Sequence, residues 1–373
     1  MTGFFNRKTW ALGLLVCLAA TVLSAKKKKG DEDETQTLQV PKDLPNAVLG
    51  ETRRLTFYVT PLSAKGLLSQ QIRDALKALD SQAKSDAILK IRAFVAGSGD
   101  LRRVRDLVSE TFTERRRPLP TVSVIQTGGL PLKGAQVQME AVAEGRRDRY
   151  PGGLAWISAQ MATSDDPQAA ATPLAEASLA RLSRAVQAAG ADPNAVLRVT
   201  CFLSSLVGID PLRQKVATAY PHAAFDFVQT QREPPRGLAA CEAVAGLTRA
   251  GTTRLQFLNP EGLPGEPGQS QIALVASPHV LLTGGQASFG FEERDARLAF
   301  DRVQKELQQQ SLTPKDVAFA HLYPLSEKIA GQVRQVRASF FAAGQPPAGT
   351  LVLFEGLASL DAGFAVDVVA AKD

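Results

Sequence analysis

Histidine, cysteine and methionine are scarce in this 373-residue chain: there are three of each, beside two tryptophans and four tyrosines. His222, His279 and His321 lie far apart, with no HExxH pattern and no neighbouring carboxylate pattern, so no metal site is expected. Cys17 falls in an N-terminal apolar stretch, which leaves Cys201 and Cys241, and these form neither CxxC nor a zinc spacing. They would pair in an oxidising compartment, but two buried free thiols are the expectation, because free cysteine behaves as a small core residue. No Gly-rich loop opens a helix and no Gly-x-Ser-x-Gly elbow occurs, so no cofactor and no elbow nucleophile is indicated.

Aromatics make up only 6% of the chain. They are nearly absent around the basic clusters Arg102, Arg103, Arg105 and Arg115 to Arg117, and Arg146, Arg147 and Arg149. A nucleic-acid surface of that kind would interleave rings for base stacking, so these arginines are read as solvated helix faces and loop ends. The formal charge of +6 falls to +4 once Arg7 and Lys8 are set aside. No nucleic-acid partner is expected.

What is present first is an N-terminal targeting layout. Arg7 and Lys8 precede an apolar run from Trp10 to Leu23 that ends in Ser24 and Ala25. The run is shorter than the ~20 residues that cross a bilayer, and residues 1–25 read as a secretory signal peptide, which places the protein in the periplasm or outside the cell. Lys26 to Lys29 directly after it disfavour translocation, so a membrane anchor through residues 9–25 is the alternative. Residues 26–50 are Lys-rich, then Asp/Glu-rich, and read as a disordered charged tether.

The remainder, in a chain 45% hydrophobic and 21% charged, has a globular composition and a length that suggests two or three domains. It repeats internally. Ala87-Ile-Leu-Lys-Ile-Arg-Ala-Phe94 matches Ala195-Val-Leu-Arg-Val-Thr-Cys-Phe202 position for position, and Val317-Ala-Phe-Ala-His-Leu-Tyr323 is a third copy. Each is a strand-like run, and each follows an apolar stripe at helical spacing: Ile72, Leu76, Leu79; Leu179, Leu182, Val186; Phe300, Val303, Leu307. A second stripe follows each strand, the second copy's behind an Asp210-Pro211 start read as N-cap and first helical position. Two further strand-like runs close each copy, Thr121–Ile125 with Val137–Ala143 in the first. The expected fold is α+β: three tandem units at 51–145, 146–250 and 251–373, each a mixed β-sheet with two helices on one face.

The unit order and several stretches resemble the YjgF-like (RidA, reactive-intermediate deaminase) family, whose fold is chorismate-mutase-like. Val280-Leu-Leu-Thr-Gly-Gly-Gln286 resembles the family's strand ending in Ser-Gly-Gln; Ala155-Trp-Ile-Ser-Ala-Gln160 and Thr56-Phe-Tyr-Val-Thr60 stand at the same place. Gln138-Met-Glu-Ala-Val-Ala143 and Cys241-Glu-Ala-Val-Ala245 resemble its last strand. Family members are usually homotrimers with ligand clefts between subunits. The resemblance therefore implies a trimer made covalent, a monomer with internal pseudo-threefold symmetry whose units associate at high effective concentration.

Active members hydrolyse enamines or imines to keto acids and ammonia, using an arginine that grips the substrate carboxylate and a glutamate that positions water. The arginine position aligns here with Leu119, Phe225 and Gly349, and the glutamate position with Gln138, Ala240 and about Ala365. Neither residue survives in any unit. The resemblance leaves Ser158, Gln160, Gly285 and Gln286 as cleft-lining candidates, Arg117, Arg232 and Arg236 as substitute carboxylate binders, and Glu140 and Glu242 as substitute carboxylates. The expected function is binding of a small metabolite or a protein partner in the clefts between units. A divergent imine or enamine deaminase is the alternative, and an RNA-binding protein or ribonuclease a further one.

Overall fold

The computed structural model describes residues 42–97, 99–249, 251, 253–341 and 344–373. The signal peptide or anchor, and the tether up to residue 41, lie outside the described residues; the end of the segment expected to be a disordered tether is ordered instead, because Ala47–Glu51 forms a strand paired with His279–Thr283. Along the chain the first unit comprises β1 (Ala47–Glu51), β2 (Leu55–Val59), α1 (Leu68–Ala83), β3 (Ala87–Ala96), α2 (Arg102–Glu114), β4 (Thr121–Thr127) and β5 (Val137–Glu144). The second has β6 (Gly153–Ser164), α3 (Ala171–Ala188), β7 (Val196–Leu203), α4 (Ile209–Ala219), β8 (Ala224–Gln229) and β9 (Gly237–Leu247). The third has β10 (Leu255–Leu258), β11 (Ile272–Val275), β12 (His279–Thr283), β13 (Gln286–Ser288), α5 (Glu293–Gln309), β14 (Val317–Pro324), α6 (Glu327–Phe340), β15 (Ala348–Leu351), β16 (Gly356–Leu357) and β17 (Phe364–Lys372).

Every helix stripe read from the sequence is core. Ile72, Leu76 and Leu79 pack with Val104, Leu107, Val108 and Phe112 onto one face of the first sheet, and the other two units repeat the arrangement. In each unit the strand between the helices pairs parallel with the next strand and antiparallel with the last: β3 with β4 and β5, β7 with β8 and β9, β14 with β15 and β17. The helix at α3 ends before Gly190, whose φ of +72° closes the helix in the left-handed region where no Cβ interferes. One local expectation changes. Helix α4 begins at Ile209 behind Gly208, so Asp210 sits inside the first turn, favoured there by the helix dipole and not as the N-cap.

The sheets are completed by strands from other units. Strand β1 pairs antiparallel with β12 of the third unit, β11 with β6 of the second, and β16 with β4 of the first. The hairpin β10–β11, at the start of the segment assigned to the third unit, thus belongs to the second sheet. Strand β11 comes so close to the start of β6 that a Cβ on Gly153, at φ +90°, would lie 2.0 Å from the Val275 carbonyl oxygen. The first sheet receives no such strand beside β2, because the chain passes from β5 to β6 without forming one.

The helix-free faces of the three sheets meet one another. One shared cluster joins Phe57, Val142, Trp156, Val244, Leu282, Phe319 and Val369; another joins Phe94, Phe202, Tyr323 and Phe354. Register shows the equivalence of the units: Phe94, Phe202 and Tyr323 stand opposite Gln138, Ala240 and Ala365. Cys201 and Cys241 are also directly opposed, with Cα atoms 4.1 Å apart, and are joined in a disulfide rather than held as free thiols. Facing positions on adjacent antiparallel strands bring the two Cβ atoms within bonding reach.

Candidate functional site

Two residues before those aromatics, each middle strand carries a polar side chain opposite a carboxylate: Arg92 faces Glu140, Thr200 faces Glu242 and His321 faces Asp367. These positions share the helix-free face by alternation, so all of them converge where the units meet. Arg92 bridges Glu140 (2.6 Å) and Glu242 (2.8 Å); Arg198 reaches the same two carboxylates at 3.4 and 3.1 Å. His321 lies between Glu242 (3.1 Å) and Asp367 (3.0 Å), and Lys90 pairs with Asp367. Ser123 and Tyr323 donate to the other Asp367 oxygen at 2.7 and 2.8 Å, and Thr350 donates to Glu242.

None of these groups is more than 5% exposed. Burial by itself would raise the Glu140 carboxyl, but the Arg198 and Arg92 guanidiniums outweigh it and hold the group at about 2. Glu242 and Asp367 are likewise held well below the usual carboxylate range, against burial, by Arg92 and by Lys90 with His321. Glu140 and Glu242 are therefore interior anchors that tie units together, not cleft carboxylates and not the partly exposed pairs that alternation alone would allow. Sequence reading placed them on one face; that this face is sealed by two other units is a tertiary fact.

Around this centre lie three equivalent inter-unit clefts, each between the end of a β2-type strand and the neighbouring unit's β4-type strand. Between the second and third units the cleft is largely filled, leaving about 70 Å³. Ser158 donates to the Ser270 carbonyl (2.6 Å) and accepts from the Gly349 amide (2.8 Å), Gln160 donates to Gln271 (2.8 Å), and Gln269 donates to the Gly349 carbonyl (2.7 Å). Two expected cleft residues, Ser158 and Gln160, are thus consumed in fastening the 269–271 segment.

The other two clefts are open. Between the first and second units is a cavity of about 610 Å³, lined by Phe57, Tyr58, Thr60, Gln138, Phe225 and Asp226 among others. Between the third and first units is one of about 410 Å³, with Gly285, Gln286, Ser123, Arg105, Arg302 and Tyr323 in its wall. Gly285 and Gln286 line this cavity. Gln286 is anchored through its amide to the Gly284 carbonyl at 3.3 Å. Arg105 donates to the Val122 carbonyl at 3.3 Å, and burial pushes its guanidinium down from its ordinary value.

None of the substitute arginines lines either large cavity. Arg117 pairs with Asp80 on α1. Arg232 is exposed, with its backbone amide on Glu355. Arg236 pairs with Glu327 at 3.0 Å, beside a small cavity of about 70 Å³ between the second and third units. Several arginines of the basic first unit are likewise occupied, Arg102 by Asp100 and Arg103 by Glu110.

Register corrects one alignment. The residue of the first unit equivalent to Phe225 and Gly349 is Val122, opposite Ile91 as they are opposite Val199 and Ala320; Leu119 lies three residues earlier, in a loop between Pro118 and Pro120. Phe225 and Gln138 line one open cavity together and Val122 and Ala365 the other, while Gly349 and Ala240 are the corresponding residues of the remaining junction. No arginine and no carboxylate stands at any of them. Sequence reading missed Asp226, whose signal was a lone acid between two phenylalanines in a strand. Among the described residues no group of three or more His, Cys, Asp or Glu side chains is arranged to hold a metal ion.

The fold and its clefts define a single-chain assembly of three α+β units around a buried polar centre, with ligand-sized cavities at two of three inter-unit junctions. No family model matches the sequence, and no curated protein sequence matches it. Among solved structures the neighbours are YjgF/Rid-family proteins that each cover about a quarter to a third of the chain. The Rid-family protein YyfB from Yersinia pestis is similar over 32% of this chain and 100% of its own, at 20% identity and a TM-score of 0.30. The YjgF-family protein NMB1025 from Neisseria meningitidis is similar over 32% and 95%, at 16% identity and a TM-score of 0.24. TdcF from E. coli, solved with bound serine, is similar over 25% and 81%, at 18% identity and a TM-score of 0.23.

Proposed function

We propose that the protein binds small organic ligands in its two open inter-unit clefts and does not turn them over. The observation that carries this reading is the contrast between open cavities of about 610 and 410 Å³ and the residues that line them at the family's catalytic positions, Phe225 with Gln138 and Val122 with Ala365. A mostly apolar cavity with a few convergent polar groups is the usual form of a small-molecule site. Hydrolysis of an imine would need a fixed cation for the substrate carboxylate and a group to activate water, and the positions that supply them in the Rid family hold Phe225 and Gln138 in one open cleft and Val122 and Ala365 in the other.

The setting we assign to this binding is outside the cytoplasm. The N-terminal layout supports it, and so does the Cys201–Cys241 bond, since structural disulfides persist in oxidising compartments. Calorimetry and thermal shift with small amines, carboxylates and amino acids test the binding, using Ala224→Trp and Ala287→Trp to fill the two cavities separately. Binding that each substitution abolishes in one cleft only supports the reading. Binding that survives both overturns it, and turnover by the wild type returns the deaminase alternative.

A further inference from the structure

The cleft between the first and second units is rich in hydrogen-bond acceptors. Asp226 lines the 610 Å³ cavity, is 2% exposed, and accepts no hydrogen bond on either carboxyl oxygen among the described residues. Gln138, 5% exposed, spends its amide N–H on the Thr60 carbonyl at 3.3 Å and leaves its Oε1 without a partner among the described residues. Buried polar atoms without partners are costly, and here both residues line the same cavity.

The charged groups around Asp226 do not supply what it lacks. Glu140 on β5 is within hydrogen-bond reach but is itself a carboxylate, able only to accept from the acid form of Asp226, while Arg92 on β3 and Arg198 on β7 are engaged with Glu140 and Glu242. Burial and the neighbouring Glu140 push the Asp226 carboxyl well above its ordinary range. Arg213, the cation among the lining residues, is exposed on α4. The rest of the wall includes the rings of Phe57, Tyr58, Phe225 and Phe227, and ring faces attract cations.

We propose that this cleft binds an organic ammonium ion, which donates N–H bonds to Asp226 and to Oε1 of Gln138 and lays its hydrocarbon against Phe57, Tyr58 and Phe225. The ligand supplies the counter-charge that lets Asp226 ionise. Binding favours the Asp226 carboxylate over its acid, so a proton held there passes to solvent while the ammonium keeps all of its own. This rests on the ligand-binding reading of the clefts and assigns one of them a ligand class.

The test is calorimetry on the full chain at pH 7 with 2-phenylethylammonium and with 3-phenylpropionate, an anion of similar shape, in two buffers of different ionisation enthalpy. The ammonium is expected to bind with net release of protons, and the propionate more weakly or not at all. Asp226→Asn, which keeps the shape and cannot ionise, is expected to weaken ammonium binding by about tenfold or more and to abolish proton release. Ammonium binding without proton release, or undiminished by Asp226→Asn, overturns the proposal. The proton count on the wild type stands whether or not the variant folds. Propionate binding alone overturns ammonium selection and leaves the ligand-binding reading intact; silence from both probes overturns the assignment of this cleft.

Discussion

Arg92 of the first unit lies 2.8 Å from Glu242 of the second, with both side chains almost wholly buried. The contact joins equivalent faces of two units, and Arg198 and His321 extend it to the second and third. Removing one partner of such a pair strands a charge in the interior. Arg92→Met should therefore cost about 3–5 kcal/mol, measured by urea unfolding, far more than the surface change Arg102→Met, which should cost less than ~1 kcal/mol.

Acid should unfold the protein through the same centre. The Glu140 carboxyl is held at about 2 against an ordinary 4.5, and Glu242 and Asp367 are shifted in the same direction. A depressed carboxylate contributes stability that is present above its unfolded pKa and lost as pH falls through the folded one. Thermal unfolding across pH 5 to 2 should show Tm falling steeply below about 4.5, and Glu140→Gln should flatten that fall.

Asp226 predicts the opposite limb. Its folded pKa is raised, so the folded state keeps a proton that the unfolded state releases, and stability declines as pH rises from about 4 toward the folded value. Asp226→Asn should gain on the wild type in Tm as pH rises above about 4 and should show no such gain below it.

The disulfide between Cys201 and Cys241 closes a separation of 40 residues inside the second unit. Reduction, or Cys201→Ala with Cys241→Ala, should lower stability by about 2–4 kcal/mol, read as a fall in the urea midpoint.

Restoring a catalytic pair separates the clefts. Gly349 is close-packed, and a Cβ there would lie 2.5 Å from the Ala320 carbonyl oxygen, so Gly349→Arg should destabilise the fold. Phe225 is half-buried and borders the large cavity, so Phe225→Arg with Gln138→Glu should fold and gain carboxylate binding. Thermal melts and calorimetry with 2-ketobutyrate check both.

The repeated strands and helix stripes were legible because each obeys its own local period, as Ile72, Leu76 and Leu79 do on α1. Strand exchange was not, since nothing local in Ala47–Glu51 says that its partner is His279–Thr283, more than two hundred residues away. The candidate Ser158 illustrates the same divide. Its place on a strand could be read from its neighbours, but whether that stretch of β6 opens to a cavity or is fastened by Ser270 depends on a segment far along the chain. Cys201 and Cys241 were each legible as core, while their pairing needed the β7–β9 register.

The most direct test of binding without turnover is the hydrolysis of freshly generated 2-aminoacrylate or 2-iminopropanoate by the purified, folded protein, followed as ammonia and keto-acid release beside an active Rid-family enzyme. The account predicts release at the uncatalysed rate, alongside saturable ligand binding by calorimetry. Protein-dependent release above that background, lost on filling a cleft with Ala224→Trp or Ala287→Trp, would contradict it.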